Sequence, residues 1–369
     1  MKKKIFAILL STLLIGSLLG GCGNTEEVTS SEISEQESVI SEEPTETSEE
    51  VEIVEEVVPD NMYRSELTNE IIDISLQNQR PVAIMVDNEK TALDHYGLTQ
   101  ADIVYEIMNS TANDEVTRFM AIVKDWGSIT RFGSIRSVRP TNFMIAPEYD
   151  AVLIHDGGPF YIDPFLKNPW VNNLSGGFAR IENGKPREFT EYVTTGEIES
   201  RLAARGYSSE YTEYYEGPHW QFATKANPVD LGETYNAIDC TLVDLPFPHN
   251  DSQLDYDEES NTYLYSEYGQ PHIDPENDNK QLAFTNIILQ CAVLNVFDEN
   301  GYMQFNLINE SGNGYFITGG KAIPITWKKT ADTSPTKYYD SEGNEITLNT
   351  GKTYIGLVSG TRWNELVLK

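Results

Sequence analysis

The stretch Arg80-Pro-Val-Ala-Ile-Met-Val-Asp87 decides the fold of this chain. From Pro81 to Val86 it is a short, almost fully apolar run, which is typical of a strand buried on both faces. Similar runs lie at residues 101–108, 116–123 and 151–155. The last of them ends in Asp-Gly-Gly-Pro, which predicts a sharp turn. We therefore expect these segments to be the strands of an α/β domain.

Two segments of the same part of the chain predict helices. Residues 140–149 begin with a proline, which fits the first position of a helix. Residues 196–204 have helical composition and stop around Gly206. Together with the strands, they predict an N-terminal mixed α/β domain over residues 78–227.

Strand patterns dominate after Asn227-Pro228, and turn signals recur between them. Short, evenly spaced strands indicate a β-rich module. The predicted strands are residues 238–243, 262–265, 286–294, 303–308, 314–318, 322–328, 353–358 and 366–368. The fold class is thus α+β or α/β, with a smaller β-rich C-terminal domain over residues 228–369.

The amino-terminal residues have the pattern of an export signal. Three lysines precede an apolar run, residues 5–19, that is too short to span a bilayer. The run ends in Leu19-Gly20-Gly21-Cys22, which resembles the lipobox of bacterial lipoproteins. This predicts a signal peptide over residues 1–21 and lipidation of Cys22, and so a protein anchored on the extracytoplasmic face of the cell membrane. The alternative is a secreted protein with a chance cysteine.

An acidic segment follows the predicted anchor. Residues 24–60 contain 14 acidic residues and no lysine, arginine or histidine. Such a segment cannot bury enough apolar area to offset the entropy of ordering it. We therefore predict a disordered acidic tether over residues 22–77.

Charge and cysteine content limit the partners. The net charge is −32, of which −21 falls on residues 61–369. A protein this acidic is a poor binder of nucleic acid or of anionic lipid. The membrane is therefore expected as a partner only through the lipid anchor. Cys240 and Cys291 could form a disulfide or remain as buried free thiols.

Polar residues at strand ends of the first domain form the candidate site. In open α/β sheets, ligands bind at the carboxyl ends of the strands, and charges buried there must be paired or meet a ligand. One hypothesis is a pocket for an anionic or peptidic group, because arginine forks suit carboxylates and phosphates. The other is an internal salt-bridge network that only stabilises the domain. The candidate residues are Asp87, Glu106, Arg118, Arg136, Arg139 and His155.

Motifs for other chemistry are missing from the sequence. The five histidines are scattered, without an H-x-x-x-H or H-E-x-x-H pattern, so no metal site is expected. No G-x-S-x-G and no phosphate-binding glycine loop occurs, so no cofactor is expected.

Several long motifs resemble the YerB-like lipoproteins of Gram-positive bacteria. They include residues 80–88, 97–106, 117–121, 134–140 and 149–158, and continue to 348–355. The resemblance covers residues 78–369 and implies two domains of unknown function in a lipoprotein. This sequence departs from the family at Thr111–Glu115, where relatives commonly carry a glycine pair. If those glycines approach a ligand, the pocket is altered here.

Two functional hypotheses remain. The first is a non-enzymatic envelope protein that binds a wall component or a membrane-protein partner. The second is an enzyme acting on peptidoglycan or peptides, with Glu106 and His155 as acid or base and the arginines as anion clamps. The absence of a nucleophile motif or metal motif favours the first.

Overall fold

The strands that the sequence predicts in both parts of the chain are present. The computed structural model describes residues 56–369. In the first part the strands are β1 Met62–Arg64, β2 Ile71–Asp73, β3 Val82–Asp87, β4 Ile103–Met108, β5 Thr117–Val123, β6 Arg131–Gly133, β7 Val152–His155, β8 Asn173–Ser175, β9 Ala179–Arg180, β10 Glu191–Thr194 and β11 Gln221–Phe222.

The second part is richer in strands. They are β12 Ile238–Asp239, β13 Leu242–Asp244, β14 Gln253–Asp257, β15 Thr262–Glu267, β16 Gln270–Pro271, β17 Ile273–Asp274, β18 Lys280–Gln281, β19 Ala283–Phe284, β20 Asn286–Val296, β21 Met303–Asn306, β22 Glu310–Thr318, β23 Lys321–Lys329, β24 Lys337–Tyr339, β25 Thr347–Leu348, β26 Thr353–Ser359 and β27 Val367–Leu368. The helices of both parts are α1 Ala112–Glu115, α2 Pro140–Ile145, α3 Glu197–Arg205 and α4 Leu231–Thr234.

One large mixed sheet contains strands from both predicted domains. Its order is β12-β23-β22-β20-β26-β4-β5-β3-β7-β8, with β21 and β24 paired at its side. Strand β26 lies parallel to both β20 and β4, with Thr353 opposite Ile103 and Leu357 opposite Ile107. Strands from both sides of the predicted domain boundary, between residues 227 and 228, therefore belong to one sheet.

The fold is mixed and sheet-rich, as expected in part, but it contains less helix than an α/β class implies. The reason is the strand pairing. β5 lies antiparallel to both β3 and β4, and antiparallel neighbours can be joined by short loops instead of crossover helices. The predicted helix at 140–149 is α2 followed by a 3-10 turn at Ala146–Tyr149, and the one at 196–204 is α3.

A smaller sheet of order β16-β15-β14-β13-β27 packs beside the large one. The predicted strand 238–243 is divided between the two sheets, because β12 pairs with β23 and β13 pairs with β14. Cys240 lies at this division and is buried, and Cys291 is half-buried in β20. Both cysteines are free thiols, so the disulfide alternative is not realised.

The end of the predicted tether differs from the expectation. Strands β1 and β2 form a hairpin, with Met62 opposite Asp73, and Leu67 in its loop is buried. Glu66 in the same loop forms an ion pair with the buried Lys124. The segment is folded because these contacts anchor it. The predicted signal peptide, the lipidation of Cys22 and the tether up to residue 55 lie outside the described residues.

Candidate arginine pocket

The candidate site begins with the loop that joins β6 to α2. The N–H of Arg136 donates to the carbonyl of Met85 in β3, at 3.0 Å. Further along the loop, the N–H of Val138 donates to the carbonyl of Gly157, just after β7, at 3.2 Å. The loop is therefore fixed beside the ends of two strands, which brings its two arginines close to Arg118 of β5.

An open pocket of about 290 Å³ lies where these arginines meet. Arg118, Arg136 and Arg139 line it, and Tyr302 forms part of its wall. Glu89 is the carboxylate among the lining residues. We call this site the arginine pocket. It brings together three of the six candidate residues that the sequence analysis selected.

Arg136 has its charge compensated inside the protein. Its guanidinium forms ion pairs with the carboxylates of Asp87 and Glu188, the latter at 2.6 Å. The other oxygen of Asp87 accepts the N–H of Glu89 at 2.8 Å. Asp87 is thus a buried structural partner that holds Arg136 in the pocket wall.

Arg118 and Arg139 are different, because neither forms an ion pair with any residue between 56 and 369. Each donates one hydrogen bond to a backbone carbonyl, Arg118 to Ser137 at 2.7 Å and Arg139 to Val138 at 2.9 Å. The Nε atoms of both are buried without a hydrogen-bond partner. Burial lowers the pKa of Arg118 to about 9, so that it still carries its charge at neutral pH. The pocket therefore presents two cations that no carboxylate of the described residues contacts directly, and the charges of Asp87 and Glu89 nearby favour the charged form of Arg118.

Two further pocket residues were not found by sequence reasoning. With its side-chain oxygen turned toward the arginines, Asn109 accepts from Arg118 at 3.0 Å and from Arg139 at 3.1 Å. The Arg139 guanidinium carbon lies 4.1 Å from the ring centroid of Tyr302, a cation–π distance. Asn109 follows the end of a predicted strand, and this position could have identified it as a candidate site residue. No pattern in the sequence around Tyr302 indicates that this residue belongs to the site.

The segment Thr111–Glu115, where this sequence departs from the family pattern, forms part of the pocket wall. Ala112 and Asn113 line the pocket. Asn113, Asp114 and Glu115 have φ values of 51°, 55° and 67°, in the left-handed region that favours glycine. Glycine adopts this backbone conformation most readily, so the glycine pair that the family resemblance implies at this position is compatible with the fold.

Glu106 lies outside the pocket, in a closed polar cluster. It is fully buried in β4. Burial, and next the nearby Glu267, raise its pKa above the usual value. Six neutral donors surround its two oxygens at 2.7 to 3.4 Å, namely Asn88, Thr117, Asn250, Ser252, Tyr265 and Tyr354. We call this set the Glu106 cluster.

His155 is also outside the pocket and is buried at the end of β7. Its Nδ1 lies 2.8 Å from the carbonyl oxygen of Gly157, and its Nε2 lies 3.2 Å from the side-chain nitrogen of Asn173. Burial lowers its pKa below the usual value. Both nitrogens are occupied, so Glu106 and His155 do not share an open cleft as the enzyme hypothesis requires.

Comparisons with known proteins identify the family of this chain. Residues 67–208 match the family "Protein of unknown function (DUF3048) N-terminal domain", and residues 243–355 match the C-terminal domain of the same family. The chain is 26% identical to "Putative lipoprotein YerB" of Bacillus subtilis, over 82% of this chain and 89% of that protein. The chain belongs to the YerB-like family.

The YerB-like fold is supported by a solved structure. The crystal structure of the YerB protein from Bacillus subtilis superimposes with a TM-score of 0.69, covering 83% of this chain and 99% of that one at 21% identity. The matched N-terminal domain begins at residue 67, inside the hairpin loop, which agrees with the folded end of the predicted tether. Among residues 56–369 no helix has the length and apolarity that a membrane crossing needs.

Proposed function

We propose that this YerB-like protein is a non-enzymatic binding protein of the cell envelope, and that it holds a carboxylate group of a wall component in the arginine pocket. The observation that carries this proposal is the pair Arg118 and Arg139. A buried charge without a partner is costly, and a ligand carboxylate would supply the partner. Both side chains line the same pocket, so one ligand could contact both guanidinium groups.

The pocket chemistry favours a carboxylate. A guanidinium presents donors in a planar fork that matches the two oxygens of a carboxylate. A volume of about 290 Å³ admits a carboxylate with a few neighbouring atoms and is too small for a large ligand. Peptidoglycan stem peptides carry such groups in the envelope. A membrane protein could present an aspartate or glutamate in the same way, and the experiment below distinguishes the two.

The location is part of the proposal. The basic and apolar amino terminus, the Leu-Gly-Gly-Cys22 sequence and the name of the Bacillus subtilis relative support a lipid anchor on Cys22. An acidic tether would then keep the folded part away from the bilayer on the extracytoplasmic face. Replacing Cys22 by alanine should move the protein from the membrane fraction to the culture medium, as seen on an immunoblot. Retention of the variant in the membrane would contradict the anchor.

Binding can be measured by calorimetry with a synthetic stem-type tetrapeptide that has free carboxylates. We expect the wild type to bind this peptide and to bind its carboxamide form at least tenfold more weakly. The double variant Arg118→Gln/Arg139→Gln should bind the acid form of the peptide 10- to 100-fold more weakly than the wild type does, because a hydrogen bond to a charged group is worth about 1.5–3 kcal/mol. Equal affinity for acid and amide would overturn the proposal.

Arg131 offers a matched control. It is half-buried, forms an ion pair with Glu276 and does not line the arginine pocket. Arg131→Gln should leave peptide affinity unchanged. If the tetrapeptide does not bind at all while a membrane protein crosslinks to the wild type and not to the double variant, the wall component is wrong and the protein partner is favoured.

A further inference from the structure

A second polar cluster connects the two parts of the chain. His95 comes from the loop between β3 and β4, whereas Glu267 ends β15 and His272 lies between β16 and β17. One ligand atom from each of the three side chains lies within 4.8 Å of the others. All three residues are buried. Sequence reasoning missed this cluster because His95 lies more than 170 residues from the other two members, and the three follow no metal-binding spacing.

The loop that carries His95 is held firmly against the second part of the chain. The N–H groups of Gly97 and Thr99 donate to the two carboxylate oxygens of Asp274, at 2.9 and 3.0 Å. The Thr99 hydroxyl adds a third bond, at 2.6 Å. Asp274 follows His272 by two residues, so these bonds fix the two histidines relative to each other.

Three of the four imidazole nitrogens of the cluster lack a hydrogen-bond partner among residues 56–369. Both ring nitrogens of His95 and the Nε2 of His272 are buried and make no hydrogen bond, although the Asp87 backbone lies near the His95 ring. The ring centroids of the two histidines are 5.0 Å apart. The Nδ1 of His272 lies 2.8 Å from Glu267. Each buried polar atom without a partner costs free energy, so three of them in one place require an explanation.

We propose that His95, Glu267 and His272 bind a divalent transition-metal ion such as Zn²⁺ in a buried structural site. Two imidazoles and a carboxylate are the ligand types that Zn²⁺ accepts, at about 2.0–2.2 Å from the ion. In a tetrahedral site, two ligand atoms of one ion are therefore separated by about 3.3–3.6 Å. The three ligand atoms lie within 4.8 Å of one another, so they need to close by roughly 1 Å when the ion binds, through rotation of the side chains.

The surroundings suit a structural role. Asn250 donates to the second oxygen of Glu267 at 3.1 Å and to Glu106 at 2.9 Å, so the carboxylate is oriented by a fixed neighbour. The ring of Phe119 lies edge-on to both histidines at 5.9 and 6.0 Å, which excludes water from one side. An ion here would link the His95 loop to the small sheet. This inference does not depend on the proposed function.

The test uses the full chain, purified in detergent, unfolded in denaturant with EDTA and refolded with or without one equivalent of Zn²⁺. After desalting, atomic emission should find about one zinc per chain. The Tm should rise by about 5 °C or more relative to the metal-free sample, because an ion that binds only the folded state stabilises it. Refolding with Co²⁺ should give the visible absorption of a bound ion. Less than a tenth of an equivalent of zinc, with a Tm insensitive to EDTA, would overturn the proposal and indicate a site filled by water only.

Two variants separate metal binding from a packing role. His95→Phe keeps a ring in the same space and should fold, but it should hold no zinc and show no zinc-dependent Tm. His155→Asn changes another buried histidine, whose nitrogens are already paired, and should keep one zinc. If His95→Phe does not fold, Glu267→Gln measured by Co²⁺ absorption takes its place and should lose the signal. Zinc retained at one equivalent in the His95 or Glu267 variant would refute the assignment.

Discussion

The arginine pocket and the Glu106 cluster contain adjacent residues of one strand, yet the pocket is open and the cluster is closed. In β5, Thr117 donates to Glu106 at 2.8 Å, whereas the next residue, Arg118, lines the pocket. Neighbouring side chains of a strand point to opposite faces of a sheet, so one face receives the closed cluster and the other receives the open pocket. Both contain charged groups that are buried or nearly so.

The Glu106 cluster and the arginine pocket differ in whether residues of the protein itself compensate the buried charge. The Glu106 carboxylate is surrounded by six neutral donors of the protein itself, so the folded chain has completed that cluster. Arg118 and Arg139 have backbone and amide acceptors but form no ion pair with a carboxylate among residues 56–369. Completed polar clusters are expected to stabilise the fold, and incomplete ones to meet a ligand. The following changes test that distinction.

The largest effect is expected in the closed cluster. Glu106→Leu removes the acceptor of six donors while filling a similar volume, and it should lower the free energy of unfolding by about 4 kcal/mol, because several buried donors lose their partner at once. Thr117→Val is the matched control, since it removes one donor to Glu106 and one acceptor of Asn88 while the other five donors keep their acceptor, and it should cost about 1–2 kcal/mol. Urea denaturation measures both. A loss below 1 kcal/mol for Glu106→Leu would mean that the cluster is not the completed structural unit described above.

Acid should lower the free energy of unfolding at a second buried site, around His219, by a slightly smaller amount. His219 is buried, stacks on Trp220 with ring centroids 4.2 Å apart, and has its pKa lowered by burial to about 4. The unfolded chain takes up a proton near pH 6.5, but the folded chain does so only near pH 4. Stability is therefore lost as the pH falls from about 6.5 to 4, by roughly 3 kcal/mol. In denaturation curves across this range, His219→Gln should show a clearly smaller loss. Parallel pH profiles for the wild type and the variant would contradict this assignment.

The sequence predicts the strands and charged residues of both sites better than it predicts which of them lie together. Apolar runs identify β3, β4, β5 and β7 because strands buried on both faces consist of almost nothing else. The insertion of β26 between β20 and β4 was not predicted, since pairing across some 250 residues leaves no mark in local composition. For the same reason the sequence could select Glu106 and Arg118 as buried charges but could not assign them to separate clusters.

A moderate effect is expected at Asp114, which directly follows the pocket-lining residues Ala112 and Asn113. This residue has a φ of 55° and is exposed. Asp114→Gly should match or slightly exceed the wild-type stability, whereas Asp114→Ala should be less stable than the glycine variant by about 1 kcal/mol, because alanine pays a steric cost in the left-handed region. Thermal denaturation compares the two. Equal Tm values would show that the strained conformation is not maintained, and the wall would then be more adaptable than the closed cluster.

The smallest effect on stability is expected at Arg118 itself. Arg118→Met removes a buried cation that has no ion-pair partner, so the free energy of unfolding should change by less than about 0.5 kcal/mol or rise. Arg80 is the matched control, because it is also buried but forms an ion pair with Asp150 at 2.8 Å and a hydrogen bond to Asn172 at 2.7 Å. Arg80→Met leaves Asp150 without its partner and should cost about 3–5 kcal/mol. Urea denaturation of the two variants compares two buried arginines that differ in whether a carboxylate of the protein pairs with them. If Arg118→Met proved as damaging as Arg80→Met, Arg118 would belong with the completed clusters, and a ligand would no longer be needed to explain its charge.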